Sequence, residues 1–259
     1  MGVRGAAIAT ALSSVLSGLL MAIAVFRNEF LSFSIKEFAI DKLLLKELME
    51  TAIPAKGNTV ASCFGYVVFA GMVGSMGTTI FAAHSIAVSA EEIFYIPGYG
   101  LRTASSTLIG IAAGEKNQKK YDSVRNTSIW LTLLMMALSG TILFLVAEPL
   151  MCIFTNSAKV IELGTMVLRL VAFSEPFFGL MIAWEGISYG LGHTKSVFLI
   201  ETFSMWGIRI ISTYVVIYVL HLGLREVWYC MILDNVCKAV LLTLYGRRIR
   251  LKPDSSSKR

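Results

Sequence analysis

Read for apolar runs unbroken by charge, the sequence divides into seven segments, at 5–26, 51–74, 78–113, 127–147, 160–191, 196–220 and 224–246. Each is long enough to cross the hydrocarbon core of a bilayer as a helix, for which about 20 apolar residues suffice. Runs such as LLTLYG and IISTYVVIYVL are apolar on both parities, whereas strands of a membrane barrel alternate apolar and polar every second residue. The pattern therefore predicts an all-α, polytopic membrane protein with seven transmembrane helices and excludes a barrel. The third segment contains Pro97-Gly98-Tyr99-Gly100. Splitting it there leaves about 13 residues, too few to cross, so one long helix kinked at the proline is expected.

Between the first two segments, AIDKLLLKELME sets Ile40, Leu43, Leu44 and Leu48 on one helical face, with Lys42, Lys46, Glu47 and Glu50 around the rest. That is the pattern of a helix lying on the membrane surface. The final KPDSSSKR is polar and is expected to be disordered. The division that results is a transmembrane helix at 1–26, a cytoplasmic linker with an amphipathic helix at 27–50, a six-helix unit at 51–250 and a disordered tail at 251–259. The first segment has a rival reading, because Arg4, an apolar stretch and Ala22-Ile23-Ala24 also fit a secretory signal. Its apolar run is nearer a full span than the roughly 7 to 15 residues of a signal core, which favours the membrane helix.

Composition points the same way. Of 259 residues, 56% are hydrophobic and 15% charged, against about a quarter charged in soluble domains, so the surplus apolar surface faces lipid. The formal net charge of +6 would suggest nucleic acid in a soluble protein. Here the basic residues gather in a few short loops, which reports topology and excludes a nucleic-acid partner. Fifteen Lys and Arg fall in the 27–50, 114–126, Lys195 and C-terminal stretches, and three, Arg4, Lys159 and Arg225, in the alternate loops. By the positive-inside rule the N-terminus is outside and the C-terminus cytoplasmic, in the cell inner (plasma) membrane.

Four cysteines, at 63, 152, 230 and 237, make no C-x-x-C pair, and three histidines, at 84, 193 and 221, show no ligand spacing. Neither a disulfide framework nor a metal site is expected. There is no H-E-x-x-H, G-x-S-x-G or phosphate loop, so the protein is expected not to be an enzyme. Asp234-x-x-x-Lys238 on the last segment has a counterpart in the retinal-binding proteins, but such a pair is an ordinary helical ion pair. The R-Y-x-D-W run of those proteins is missing from the third segment.

Ionisable residues in hydrocarbon cost about 2.5 to 3.5 kcal/mol each by insertion scales, so they tend to face cavities and mark function. Glu91 and Glu92 lie mid-helix before Pro97, with Tyr95 one turn on; Glu175 precedes Pro176, and Glu185 follows ten residues later. Together they describe an acidic cavity that exchanges protons or Na⁺ for an organic cation, with Tyr95, Tyr99, Phe177 and Phe178 offering it aromatic faces. Adjacent helical residues point about 100° apart, so at most one of Glu91 and Glu92 aims into a central cavity. The alternative role for the acids is internal pairing with the intramembrane Arg102, Arg169 and Arg209. Pro97, Gly98 and Gly100 form a candidate hinge.

The run AAHSIAVSAEEIFYIPGYGLRTASSTLIGIAAGEKNQKK, from Ala82 to Lys120, closely resembles the signature of the multidrug and toxic compound extrusion (MATE) transporters, with its A-A-H, acid, Pro-Gly-x-Gly and A-x-S-T-L elements before a basic loop. GVRGAAIAT at the start is similar to the sixth helix of that family, GISYGLGHTK at 186–195 to an element after its tenth, and LGLREVWYC at 222–230 to the opening of its twelfth. The resemblance covers about residues 1–250. It implies the last helix of a first lobe, a linker helix and a complete second lobe of a 6+6 helix transporter. The implied partners are small organic cations, membrane lipid, and either the missing first lobe or a second copy of the chain. The implied function is a multidrug efflux antiporter working by alternating access, with no cofactor beyond a coupling ion. Some branches carry an acid about eight residues after the proline of the seventh helix, where this chain has Ser62 after Pro54, and another near Phe178, where this chain has Glu175 one turn earlier. The coupling ion stays open between Na⁺ and H⁺. Two alternatives remain, a lipid-linked oligosaccharide flippase of the same superfamily, which favours a strongly basic cavity, and a truncated fragment that transports nothing without its partner lobe.

Overall fold

A computed structural model describes residues 2–27 and 42–249, and every regular element it places there is helical. The elements are α1 (Gly2–Arg27), α2 (Lys42–Gly74), α3 (Thr78–Gly114), α4 (Gln118–Phe154), α5 (Ala158–Ala172), α6 (Glu175–Gly190), α7 (Thr194–Val219) and α8 (Leu224–Gly246). The tail at 251–259 and linker residues 28–41, Ile40 among them, lie outside the described residues. Residues up to Glu47 form one unit and residues from Leu48 another.

By itself α1 is apolar around its circumference, with Leu12, Val15, Leu20 and Met21, which point to different sides, all exposed, as suits a helix surrounded by lipid. Its Ser14 hydroxyl turns back to the Thr10 carbonyl at 2.9 Å, which pairs that donor within the helix. The expected surface helix does not stop before the second segment. From Lys42 the chain runs unbroken to Gly74 as α2, because LMETAI, between the charged run and Pro54, contains no glycine or proline to end it.

Five described helices are long and apolar enough to cross a membrane: α1, α2, α4, α7 and α8. Taken together, α5 and α6 are also long and apolar enough to cross, as a pair bent by 56° at the break. The sequence reading of 160–191 as one helix is thus corrected to two. Pro176 stands in the first turn of α6; it has no N–H for the carbonyl of Ala172, and its ring crowds that carbonyl, so the helix breaks there. Ser174 fills the gap, its backbone N–H and its hydroxyl both donating to the Val171 carbonyl, at 2.7 and 2.8 Å. The helix α3 is long enough to be a seventh span, but Glu91, Glu92, Arg102 and the hydroxyl residues along it keep it below the apolarity of the others.

In the second unit α3, α4 and α6 pack together, with α5 and α8 against them. Small residues let the backbones approach. A methyl group added at Gly186 would lie 2.6 Å from the Arg102 carbonyl oxygen, and one at Gly190 would lie 2.5 Å from that of Ser106. Gly140 of α4 likewise faces the broken turn: a methyl there would stand 2.6 Å from the freed Ala172 carbonyl oxygen and 2.8 Å from Cβ of Glu175. The helix α3 continues through Pro97. The carbonyl that Pro97 leaves without its N–H is that of Ile93; next to it, the Phe94 carbonyl accepts the Ser139 hydroxyl of α4 at 2.9 Å, which ties the proline turn to α4. Gly98 is a packing position, with Met136 Sδ 2.9 Å from where its Cβ would be, while Gly100 has open space beside it.

In α7 two stretches, Met205–Ile210 and Val215–Val219, are π-helical. Such wide turns are rare and cluster at functional sites. Arg209 lies in the first of them, within the bilayer span of α7. Aromatic contacts tie α2 to its neighbours: Phe64 stacks on Trp206 of α7, and His84 of α3 is held edge-on between Phe69 of α2 and Trp228 of α8.

Candidate functional site

The acids on α3 part company as their spacing requires. Glu91 is buried, at 2% exposure, while Glu92, one position on, is exposed. One turn later, the Tyr95 hydroxyl donates to the Glu91 carboxylate. The Tyr95 ring stacks on Phe178 of α6 at 4.1 Å between centroids, and Tyr99 meets Phe178 edge-on at 6.4 Å. Phe177, the other expected aromatic face, points away and is 45% exposed.

Glu175 opens α6 directly after the break and is 1% exposed. Neither of its carboxyl oxygens has a hydrogen-bond partner among the described residues. It is close enough to Glu91 for the two carboxyl groups to interact electrostatically. Burying a carboxyl group without a partner is costly, so the fold holds Glu175 in place by packing, with Gly140 leaving room for its stem. The structure brings Glu91, Tyr95 and Glu175 together behind Phe178.

Phe178 has a second neighbour on its far side, a cavity of about 510 Å³. Its polar lining includes Lys56 and Asn58 of α2, Arg102 of α3, Glu185 of α6, Glu201 of α7 and Lys238 of α8. Glu185 is not free there: Arg102 Nη1 is 2.9 Å from its Oε2. The Asn58 amide donates to Glu201, while Asn58 Oδ1 and Glu201 Oε1 are buried acceptors without donors among the described residues. The lining carries both signs of charge.

The intramembrane arginines are spent on other acids. Arg102 pairs with Glu185, Arg169 with Glu148 at 3.5 Å, and Arg209 with Asp234, Nε to Oδ2, at 2.8 Å. Asp234 is fully buried and is also bonded by Lys238 Nζ at 2.9 Å and by the Ser204 hydroxyl at 2.5 Å. Arg209 reaches Asn235 Oδ1 at 3.2 Å, and its guanidinium lies over the rings of Tyr66 and Phe69. This network joins α2, α7 and α8 across the interior. Spacing shows only the Asp234 and Lys238 half of it; the π turn that brings Arg209 in leaves no mark that a heptad or 3.6-residue reading detects. Glu201, Asn58 and Tyr66 also line the cavity and are candidates that sequence reasoning missed, and the sole signal for them is that each is polar within an apolar run. Among the described residues no group of three or more His, Cys, Asp or Glu is placed to hold a metal ion.

The MatE family model matches residues 54–215. A probable multidrug resistance protein NorM of Thermotoga maritima is 28% identical over 252 residues, which are 95% of this chain and 53% of that protein. Among solved structures, that of MATE in complex with MaL6 superposes with a TM-score of 0.84 at 21% identity, over 95% of this chain and 56% of the other. A MOP superfamily transporter from Pyrococcus furiosus, whose binding pocket is described as of reverse polarity and suggesting a different function, does so at 0.83 and 22%, over 95% and 56%. At these identities the structural likeness shows the shared helical fold. The chain spans about half the length of the curated relatives it matches.

Proposed function

This chain belongs to the MatE family, whose model covers well over half of it, and we propose that it supplies the second lobe of a multidrug efflux antiporter exporting organic cations in exchange for Na⁺ or H⁺. In this reading residues 51–250 are the lobe, the chain starts outside and ends in the cytoplasm, and a first lobe or a second copy completes the substrate path. The relatives named as multidrug resistance proteins support the cargo class. The observation that carries the site is Glu175, buried with both carboxyl oxygens unpartnered while every intramembrane arginine is committed elsewhere. An ionised carboxylate left dry and alone is expensive, so such a group holds either a proton or a cation. Exchange of one occupant for the other is the chemistry of antiport.

Glu91 supplies the second acid and Tyr95 holds it, while Phe178 and Tyr99 present ring faces toward the cavity, where an organic cation is attracted to them. Glu185, clamped by Arg102, shapes the wall of the cavity, and Glu92 has no part in it. Pro97 and Gly100 act as the flexible point of α3, and Gly98 as the place where α3 bears on α4. A flippase for a lipid-linked oligosaccharide needs a strongly basic cavity. Here Arg102 is paired with Glu185, Lys238 shares Asp234 with Arg209, and Glu201 stands in the same lining as Lys56, a mixed rather than strongly basic cavity, which favours the cation reading.

The test is efflux of a fluorescent organic cation from everted vesicles holding this chain, alone and with a first lobe of the family, under an imposed Na⁺ or proton gradient. Gradient-driven efflux that is lost in Glu175→Gln is expected. Efflux undiminished in Glu175→Gln and in Glu91→Gln overturns the site.

A further inference from the structure

A second and larger cavity, of about 840 Å³, opens where α4 begins and α8 ends, against α6. Its lining has two halves. Gln118, Asp122, Arg125 and Asn126 come from the polar first turns of α4, and Arg247 from the residue after α8; Ile129, Leu180 and Ile249 are apolar.

The polar half settles most of its own charges. Arg125 Nη1 lies 2.9 Å from Asp122 Oδ1, its Nε and Nη2 bond Asn126 Oδ1, and Gln118 donates to Asp122 Oδ2 at 3.0 Å. Asp122 therefore presents no unmatched negative charge. What is left over is donors. Trp184, only 4% exposed, stands in the wall of the cavity, and its indole N–H, itself buried, has no acceptor among the described residues. Arg247, also on the wall, is exposed and makes no ion pair among them. An indole N–H and a guanidinium donate and cannot accept, so the two call for an anion with several acceptor oxygens, and a planar fork suits phosphate best.

We propose that this cavity binds the phosphate head group of an anionic phospholipid. The apolar half of the lining argues for a lipid over a free anion, because Ile129 begins the apolar run of α4 where its polar turns end, the level at which a head group gives way to acyl chains. Tryptophan is enriched at that level, and basic pockets between membrane helices are recognised sites for acidic head groups. The proposal is independent of the transport reading, since it concerns binding without a gradient.

The test is fluorescence titration of the full 259-residue chain in detergent with labelled phosphatidylglycerol and, separately, labelled phosphatidylcholine. Phosphatidylglycerol is expected to bind about tenfold more tightly, and Trp184→Phe and Arg247→Gln each to weaken it roughly tenfold, the size of one lost charge-assisted hydrogen bond. Arg225→Gln, at the opposite end of α8, is expected to bind as the parent does. Equal binding of the two lipids, or variants that bind like the parent, overturns the proposal. Displacement of phosphatidylglycerol by millimolar inorganic phosphate overturns the lipid assignment in favour of a free-anion site. Should Trp184→Phe lose its helical circular dichroism, the exposed Arg247→Gln decides alone.

Discussion

Tyr95 and Phe178 stack with their ring centroids 4.1 Å apart, one of the contacts that join α3 to α6, and Phe178 also lines the cavity of about 510 Å³. The same tyrosine hydroxyl is the donor for Glu91. Tyr95→Phe keeps the stack and removes the donor, so it is expected to destabilise the protein by about 1 to 3 kcal/mol, the cost of an unsatisfied buried acceptor. Combined with Glu91→Gln the loss should not add, and a double-mutant cycle from thermal denaturation in detergent is expected to give a coupling above about 0.5 kcal/mol.

Among the described residues the Glu175 carboxyl group has no hydrogen bond to lose. Glu175→Gln is therefore expected to leave thermal stability unchanged or raised by up to about 1 kcal/mol, because a neutral amide costs less to bury than a carboxylate. Transport in the same variant is expected to fall to background. A variant that both unfolds and stops transport would make Glu175 structural.

Gly140 tests the broken turn from the other side. Gly140→Ala drives a methyl group against the Ala172 carbonyl and the stem of Glu175, an overpacking expected to cost about 1 to 3 kcal/mol. Gly71→Ala on α2 has nothing within 4 Å of its new methyl, and the helix propensity of alanine predicts stabilisation by up to about 1 kcal/mol. Opposite signs for two chemically identical substitutions, read from melting temperatures, would separate packing from propensity.

Asp234 balances two cations. Asp234→Asn strands Arg209 and Lys238 in the interior and is expected to cost about 3 to 5 kcal/mol. Lys238→Met leaves the Arg209 pair intact and removes a charge that needed desolvating, so a cost below about 1 kcal/mol is expected. Equal losses in the two variants, measured by denaturation, would show that the network is not centred on the aspartate.

Much of this arrangement is legible in the amino-acid order, for a definite reason. In lipid every backbone group must be bonded within its own helix, so uninterrupted apolar runs map onto helices with little competition from other folds. The opposite fates of Glu91 and Glu92 follow from 100° of helical rotation per residue. The break at Ser174 was also written in Pro176, yet a 32-residue apolar stretch reads as one helix until the carbonyl of Ala172 is seen without its donor. Arg209 meeting Asp234 is of another kind. It depends on a π turn in one helix and on how two helices cross, neither of which a one-dimensional pattern records.

The helix α3 has 37 residues, so its axis runs for about 55 Å, through a hydrocarbon slab of about 30 Å. Even at a tilt of about 40°, the steep end of the usual range, more than 10 Å of it projects beyond the slab. It is a lever whose midpoint region, near Pro97, is gripped by α4 and α6 through Ser139 and Phe178. A rock of about 10° around that point carries each tip through roughly 5 Å. Were α3 to rock as one body, small adjustments deep among the acids would be delivered as larger displacements at its two ends.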